Sequence, residues 1–228
     1  MKLILKQKPG ISNHQSYNAM KYKVAIFDFD GTLANSFPFF LSILDELADK
    51  YHRERVSPEQ LRELRKMSTS ELLKYFHFPM WRLPLIGRNV NHQMSQNINK
   101  ISLFEGMDAL IQDLASLGMI LVVVSSNSYE NVIRVLGENA ALFSHFECGS
   151  ALLGKKKRFQ RVLKKFNVDP AEVISIGDEI RDMEASKKMD IAFGAVTWGF
   201  NDPEVFESRN PDHIFYSVSE IGSVLTGA

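Results

Sequence analysis

Residues 23–36 read KVAIFDFDGTLANS, and this stretch decides the fold. The near-continuous apolar run at 24–29 is typical of a parallel strand that is covered on both faces. The run ends in two carboxylates, Asp28 and Asp30, followed by Gly31, which permits a tight turn and the close approach of a ligand. Ligands of doubly wound sheets bind at the carboxyl ends of the strands, so we expect both carboxylates to lie at that edge.

The rest of the chain alternates apolar runs with helix-like segments. We predict further strands at 119–124, near Phe146, and at 173–176, 191–197 and 213–216. Helices are predicted between them at 108–117, 129–137, 157–166 and 180–188. This alternation indicates βαβ crossovers, and the predicted fold class is α/β with a doubly wound parallel sheet.

One long interruption separates the first strand from the second. It contains helix-like stretches at 39–50, 58–67 and 70–76 and no convincing strand. The interruption is far longer than one crossover requires. We therefore predict a helical domain at 37–103 inserted into a core formed by 20–36 and 104–228, with 1–19 as a polar lead-in.

Composition excludes several classes of protein. The 228 residues carry 27 basic and 27 acidic side chains, a formal net charge of zero, which argues against a nucleic-acid-binding surface. No apolar stretch approaches the roughly 20 residues that span a bilayer, and residues 1–19 lack the apolar core of a signal peptide. Cys148 is the only cysteine, so no internal disulfide forms. We expect a cytoplasmic protein with neither nucleic-acid nor membrane partners.

Polar side chains also follow the other predicted strands. Ser125 follows the second strand, Asp178 follows the strand at 173–176 with Asp182 four residues later, and Lys155 opens a run of three lysines. Taken singly, residues 28–31 are a polar turn, Asp178 is a helix cap, Asp182 is an exposed helix position and the lysine run is a solvated helix start. Their joint placement at strand ends instead indicates a functional site, where Mg²⁺, which prefers carboxylate oxygens, would hold Asp28 and Asp30 together.

These motifs resemble, in order, the four motifs of the haloacid dehalogenase (HAD) superfamily. DFDGTLANS at 28–36, Ser125, Lys155 and GDEIRD at 177–182 carry the resemblance, which covers about 21–201. The sequence after 173 is similar to the phosphoglycolate-phosphatase-like branch, and the inserted helices are similar to its C1 cap. We call residues 37–103 the cap. The resemblance leaves Lys157 as a rival to Lys155, because three lysines stand in a row.

The resemblance implies an Mg²⁺-dependent phosphatase that hydrolyses a small phosphate monoester, phosphoglycolate-like or a sugar phosphate. It implies these roles: nucleophile Asp28; general acid and base Asp30; phosphate binding by Ser125, Ser126 and Lys155; Mg²⁺ binding by Asp28, the Asp30 backbone carbonyl and Asp178; support of the metal or its water by Asp182. Thr32 either assists with its hydroxyl or locks the turn. We expect a monomer or a homodimer.

Two alternative functions remain open from the sequence. A phosphosugar mutase uses the same parts, and a receiver-like phosphoacceptor domain uses a similar fold and similar residues. Asp30 favours phosphate esters over carbon–halogen cleavage, because a halide needs no proton to leave. Substrate choice is expected to rest with the cap, where residues 37–40 form either a pocket wall or the cap interior. Trp81, Arg82 and Arg88 are further candidate contacts of an anionic substrate.

Overall fold

The computed structural model describes residues 20–50, 52, 54–76, 81, 83–149 and 154–227. Six parallel strands form one sheet in the order β3-β2-β1-β4-β5-β6. The strands are β1 (Val24–Phe27), β2 (Ile120–Val124), β3 (His145–Glu147), β4 (Val173–Gly177), β5 (Ala192–Val196) and β6 (His213–Phe215). The predicted fold class is confirmed. The predicted lead-in, 1–19, lies outside the described residues.

Ten α-helices occur within the described ranges. Those of the core are α5 (Met107–Ser116), α6 (Tyr129–Leu136), α7 (Lys155–Phe166), α8 (Ile180–Lys187), α9 (Pro203–Glu207) and α10 (Val218–Thr226). Those of the cap are α1 (Phe37–Lys50), α2 (Pro58–Arg65), α3 (Thr69–Tyr75) and α4 (Leu83–Gln96). None of these helices is long and apolar enough to cross a membrane.

The central strand β1 has both faces buried. Ala25 and Phe27 pack in a cluster with α5 and α10, while Val24 and Ile26 pack on the opposite face against α7. Burial on both faces explains why the strand is a continuous apolar run. Phe27 aligns with Val123 of β2 and Ile176 of β4, so the residues that follow these three strands meet at one edge of the sheet.

The chain enters and leaves the cap side by side. Ala34 and Leu103 form an antiparallel bridge, the Asn35 N–H donates to the Ser102 carbonyl at 2.8 Å, and the Phe104 N–H donates to the Leu33 carbonyl at 3.0 Å. The helices described between these crossings are α1–α4 and a short 3₁₀ helix at Ile98–Lys100, with no strand among the described residues there. We propose 37–103 as the inserted domain on these grounds.

The cap closes onto the core through the connection between α2 and α3. Arg65 donates from Nε to the Phe200 carbonyl at 2.7 Å and from Nη2 to the Gly199 carbonyl at 2.9 Å. In return, Asn201 Nδ2 donates to the carbonyls of Arg65 and Met67 at 2.6 and 3.1 Å. We call this group of hydrogen bonds the clasp. The clasp holds α1 and α3 over the carboxyl edge of the sheet.

Candidate active site

Lys155 joins two of the carboxylates at the edge of the sheet. Its Nζ lies 2.6 Å from Asp28 Oδ2 and 2.5 Å from Asp182 Oδ1. All three side chains are buried, whereas Lys157 is exposed two residues later on α7. Lys155 is the first residue of α7, and the start of this helix directs its side chain into the site. Lys155 is therefore a buried residue of the site and not part of a solvated helix start.

Asp28 is held in its ionised form. Burial alone would raise the pKa of its carboxyl, but the positive charges of Lys155 and Arg181 lower the pKa below its ordinary value. Oδ1 accepts a hydrogen bond from the Phe29 N–H at 2.8 Å. An ionised, buried carboxylate next to a lysine is chemically suited to nucleophilic attack.

Asp30 has the opposite electrostatic environment. Burial and the negative charge of Asp28 raise the pKa of Asp30 to about 6. Its carboxyl accepts hydrogen bonds from Asn127 Nδ2 at 3.0 and 3.2 Å, which partly offset that rise. A group that titrates near neutral pH can both give and take a proton. The two carboxylates of DFD thus differ in chemistry because their neighbours differ.

Asp178 follows β4 and is fixed by three neighbours. Its Oδ1 accepts from Thr32 Oγ1 at 3.0 Å, and its Oδ2 accepts from the Phe200 N–H at 2.7 Å. A Cβ on Gly31, which has φ +72°, would lie 2.2 Å from Asp178 Oδ2, so only glycine admits this carboxylate. Thr32 therefore anchors Asp178. The residue that precedes α8 as its cap is Glu179, not Asp178.

Three buried carboxylates, Asp28, Asp178 and Asp182, each place an oxygen within 4.8 Å of the others. Burial and the neighbouring charges of Glu179 and Asp28 raise the pKa of Asp178 well above its ordinary value. Burial raises the pKa of Asp182 to about 7, although Lys155 opposes the rise, and Asp182 Oδ2 has no hydrogen-bond partner among the described atoms. Clustered carboxylate oxygens of this kind fit a hard divalent cation.

The loop after β2 forms the other side of the site. Ser125 is buried, its Oγ accepts from the Asn127 N–H at 2.9 Å, and Ser126 lines the cavity described below. Arg158 of α7 holds this loop by donating to the carbonyls of Ser125 and Gly149. The loop thus presents a hydroxyl and backbone groups next to Asp28, an arrangement suited to binding phosphoryl oxygens.

Three residues of the site were missed by sequence reasoning. Asn127 binds Asp30, and Arg181 is partly buried and ion-paired with Glu179. Arg181 and Glu179 lie inside GDEIRD, between the predicted site residues Asp178 and Asp182. Their position in this motif could therefore have indicated that they belong to the site. Asn127 carried no local signal, because its partner Asp30 lies 97 residues away in sequence.

A cavity of about 270 Å³ opens above these groups, between the cap and the core. Its floor includes Asp30, Gly31, Asp178 and Ser126. Its walls include Phe37, Phe39, Phe40, Leu72, Val90, Met94 and Phe200. Both alternatives for 37–40 hold in part, since Phe39 also belongs to the buried core. Trp81 and Arg88 are exposed and do not line this cavity, and Arg82 lies outside the described residues.

Comparison with known proteins identifies the family. Residues 25–196 match the family model of haloacid dehalogenase-like hydrolases. The chain is 29% identical to a phosphoglycolate phosphatase of Synechococcus elongatus, over 88% of this chain and 96% of that protein. It is 25% identical to an N-acetylmuramic acid 6-phosphate phosphatase of Pseudomonas putida, over 81% and 87%.

The solved structures agree on the fold. A predicted phosphatase from Clostridium acetobutylicum superposes with a TM-score of 0.76 at 20% identity, covering 91% of this chain and 99% of that one. The family match extends over most of the core and across the whole cap, so the resemblance noted from the motifs is confirmed. This chain belongs to the haloacid dehalogenase-like hydrolases, in the branch that contains the phosphoglycolate phosphatases.

Proposed function

We propose that the protein is an Mg²⁺-dependent phosphatase that hydrolyses a small phosphate monoester through an aspartyl-phosphate intermediate. The observation that carries the proposal is the contrast between Asp28 and Asp30. Asp28 has a lowered pKa and pairs with Lys155 at 2.6 Å, while the pKa of Asp30 is raised to about 6. Such a pair supplies a nucleophile and a proton donor in one site.

The first step is attack on phosphorus. A carboxylate oxygen of Asp28 forms a bond to phosphorus while the bond to the ester oxygen breaks, and protonated Asp30 gives its proton to the departing alkoxide. Lys155 and the loop at Ser125 and Ser126 neutralise and bind the phosphoryl oxygens. In the second step Asp30 takes a proton from water, the water oxygen attacks phosphorus, and the bond to Asp28 breaks, releasing phosphate.

The acidic cluster is the proposed Mg²⁺ site. Asp28, Asp178 and the backbone carbonyl of Asp30 would hold the ion, and Asp182 would support Lys155 and a metal-bound water. Bound Mg²⁺ would offset the repulsion between Asp28 and an anionic phosphoryl group. Carboxyl groups outnumber cations here: Asp28, Asp178 and Asp182 are buried and Asp30 and Glu179 are partly buried, against the cations Lys155 and Arg181. This excess of negative charge supports a divalent ion.

The alternatives carry less support. Membership of a hydrolase family argues against a receiver-like phosphoacceptor, which has no use for a cavity between a cap and its aspartate. A mutase would return the phosphoryl group to a sugar, and the apolar cavity walls offer few hydrogen bonds to sugar hydroxyls. Hydrolysis therefore remains the function that the site supports best.

The test of the proposal is the covalent intermediate. We expect acid-quenched enzyme to gain the mass of one phosphoryl group on Asp28 during turnover of p-nitrophenyl phosphate with Mg²⁺. Asp28→Asn should lose both the adduct and at least 99% of turnover, because an amide is a poor nucleophile. Asp113→Asn, an exposed carboxylate of α5, is the control and should behave as wild type. Retained turnover in Asp28→Asn would refute the proposal.

A further inference from the structure

The part of the cavity that would receive the alcohol portion of the substrate is apolar. Its aromatic wall is organised around Phe200, whose ring meets Phe37 and Phe40 edge-on at centroid distances of 5.8 and 6.4 Å. Phe39 of α1, Leu72 of α3, and Val90 and Met94 of α4 add further apolar lining. These aromatic rings present a hydrophobic surface, on which burial of an apolar ligand is favourable.

This wall lies directly beside the phosphoryl-transfer groups. The Phe200 N–H donates to Asp178 Oδ2 at 2.7 Å, so the aromatic ring is attached to the loop that fixes this carboxylate. Asp30 and Ser126 line the same cavity as the aromatic rings. An ester whose phosphoryl group reaches Asp28 would therefore place its alcohol portion between the cap and Phe200.

The charges around the cavity disfavour an acidic alcohol portion. Within the described lining, Arg181 is the one cation, and it is ion-paired with Glu179. Arg65 is not among the described lining residues; its guanidinium donates to the carbonyls of Gly199 and Phe200 and lies 5.2 Å from the centre of the Phe37 ring. A carboxylate placed here would lose its hydration near Asp30, Asp178 and Glu179, and burying a charge without a partner is costly.

We propose that this enzyme selects phosphate monoesters of uncharged, apolar alcohols and discriminates against 2-phosphoglycolate. The proposal rests on the proposed phosphatase function. It departs from the substrate in the name of the Synechococcus relative, because the cap cavity offers an apolar surface and no available cation among its described residues. The alcohol portion is bound by hydrophobic contact with Phe37, Phe40, Leu72 and Phe200.

The test is a homologous series of n-alkyl phosphates from ethyl to hexyl, assayed with Mg²⁺ on the full chain. Leaving-group basicity is nearly constant along the series, so changes in kcat/KM measure contacts with the alkyl chain. We expect a rise of roughly fourfold per methylene until the cavity is filled, as burial of a methylene group predicts. A flat or falling series would overturn the proposal.

A shape-matched pair measures the effect of charge. Isobutyl phosphate and 2-phosphoglycolate have similar volumes, and the first carries two methyl groups where the second carries carboxylate oxygens. We expect kcat/KM at least tenfold higher for isobutyl phosphate. A preference for 2-phosphoglycolate would overturn the apolar selectivity and leave the phosphatase function standing, whereas failure to hydrolyse even p-nitrophenyl phosphate would refute the function itself.

A variant locates the selectivity in the cavity. Leu72→Lys places a cation in the wall, and we expect it to lower kcat/KM for hexyl phosphate at least tenfold while raising that for 2-phosphoglycolate. Lys74→Ala, on the exposed face of the same helix, should leave both values unchanged. If Leu72→Lys affects both esters equally, α3 does not bind the alcohol portion, and the proposal fails at that wall.

Discussion

At the scale of single residues, Asp30 depends on Asn127 for its proton chemistry. The Asn127 amide donates to both Asp30 oxygens, and donors of this kind stabilise the ionised carboxylate. Asn127 Oδ1 in turn accepts from Asn131 Nδ2 at 3.0 Å, which fixes the orientation of the amide. The proton donor is thus adjusted by a residue that belongs to the loop after β2.

We predict a pH dependence from this arrangement. Asp30 must be protonated to release an alkoxide, and its pKa of about 6 means that kcat/KM for alkyl phosphates falls as the pH rises above about 6. Asn127→Ala removes donors to the ionised form, which raises the pKa of Asp30 further and moves this decline to higher pH. The measurement is the pH profile of kcat/KM for butyl phosphate in both proteins.

The control for this prediction is the leaving group. p-Nitrophenolate departs without a proton, so the decline with pH should weaken or vanish for p-nitrophenyl phosphate in the wild type. If Asn127→Ala leaves the pH profile of kcat/KM unchanged, the Asn127 amide does not adjust the pKa of Asp30. An identical profile for both esters would remove Asp30 as the proton donor.

The site could be predicted from sequence wherever strand ends specify position. Asp28, Asp30, Ser125, Asp178, Asp182 and Lys155 were all chosen as residues at strand ends or in motif order, and all lie at one edge of the sheet. Asn127 could not be chosen in that way, because the fold brings it to its partner Asp30, whereas Arg181 stands inside the motif at 177–182 and was not chosen. Their roles, like those of the predicted residues, are proposals to be tested.

At the scale of helices and strands, α4 is a helix that could not be predicted from local sequence. Its sequence, LPLIGRNVNHQMSQ, contains Pro84, Gly87 and two asparagines, which gives it little intrinsic helix preference, and it was not predicted. Tertiary contacts hold it instead: Met94 is buried in the core, and Asn91 Nδ2 donates to the Ser126 carbonyl at 3.2 Å. The strands were predicted more closely, because burial on both faces leaves a continuous apolar run.

The clasp leads to a prediction at this scale. Arg65 makes two hydrogen bonds across the boundary between the cap and the core, and its guanidinium lies 5.2 Å from the centre of the Phe37 ring. Arg65→Ala should weaken the closed cap and raise KM for butyl phosphate roughly tenfold, since hydrogen bonds to charged groups contribute about 1.5–3 kcal/mol. Steady-state kinetics provide the measurement.

Arg62→Ala is the matched control, because Arg62 is an exposed arginine of the same helix. It should leave KM within twofold of the wild-type value. An unchanged KM in Arg65→Ala would mean that the two Arg65 side-chain hydrogen bonds of the clasp contribute nothing to substrate binding. A change in kcat alone would instead show that the clasp helps to position Asp178, through the loop that contains Phe200.

At the scale of the whole molecule, the division of labour between cap and core is testable by excision. The core holds the groups proposed to act on phosphorus, and the cap supplies most of the apolar wall. Joining Ser36 to Phe104 by a short Gly/Ser linker should lower kcat/KM for hexyl phosphate by orders of magnitude, while p-nitrophenyl phosphate, whose leaving group needs little assistance, should lose less.

Circular dichroism of the excised protein establishes that the sheet has formed before kinetics are compared. Equal losses for both esters would show that the cap excludes water without choosing the alcohol. Wild type assayed at the same pH and Mg²⁺ concentration is the reference for both esters.

The side-by-side crossings at Ala34 and Leu103 also have a consequence for how the chain folds and diversifies. For β1 to pair with β2, the loop formed by residues 28–119 must close, and excising 37–103 would shorten that loop to roughly a quarter of its length. Because closure entropy grows only with the logarithm of loop length, the long insertion costs the core about 1 kcal/mol. Cap sequences can therefore drift toward new alcohols at little expense to the folding of the catalytic sheet.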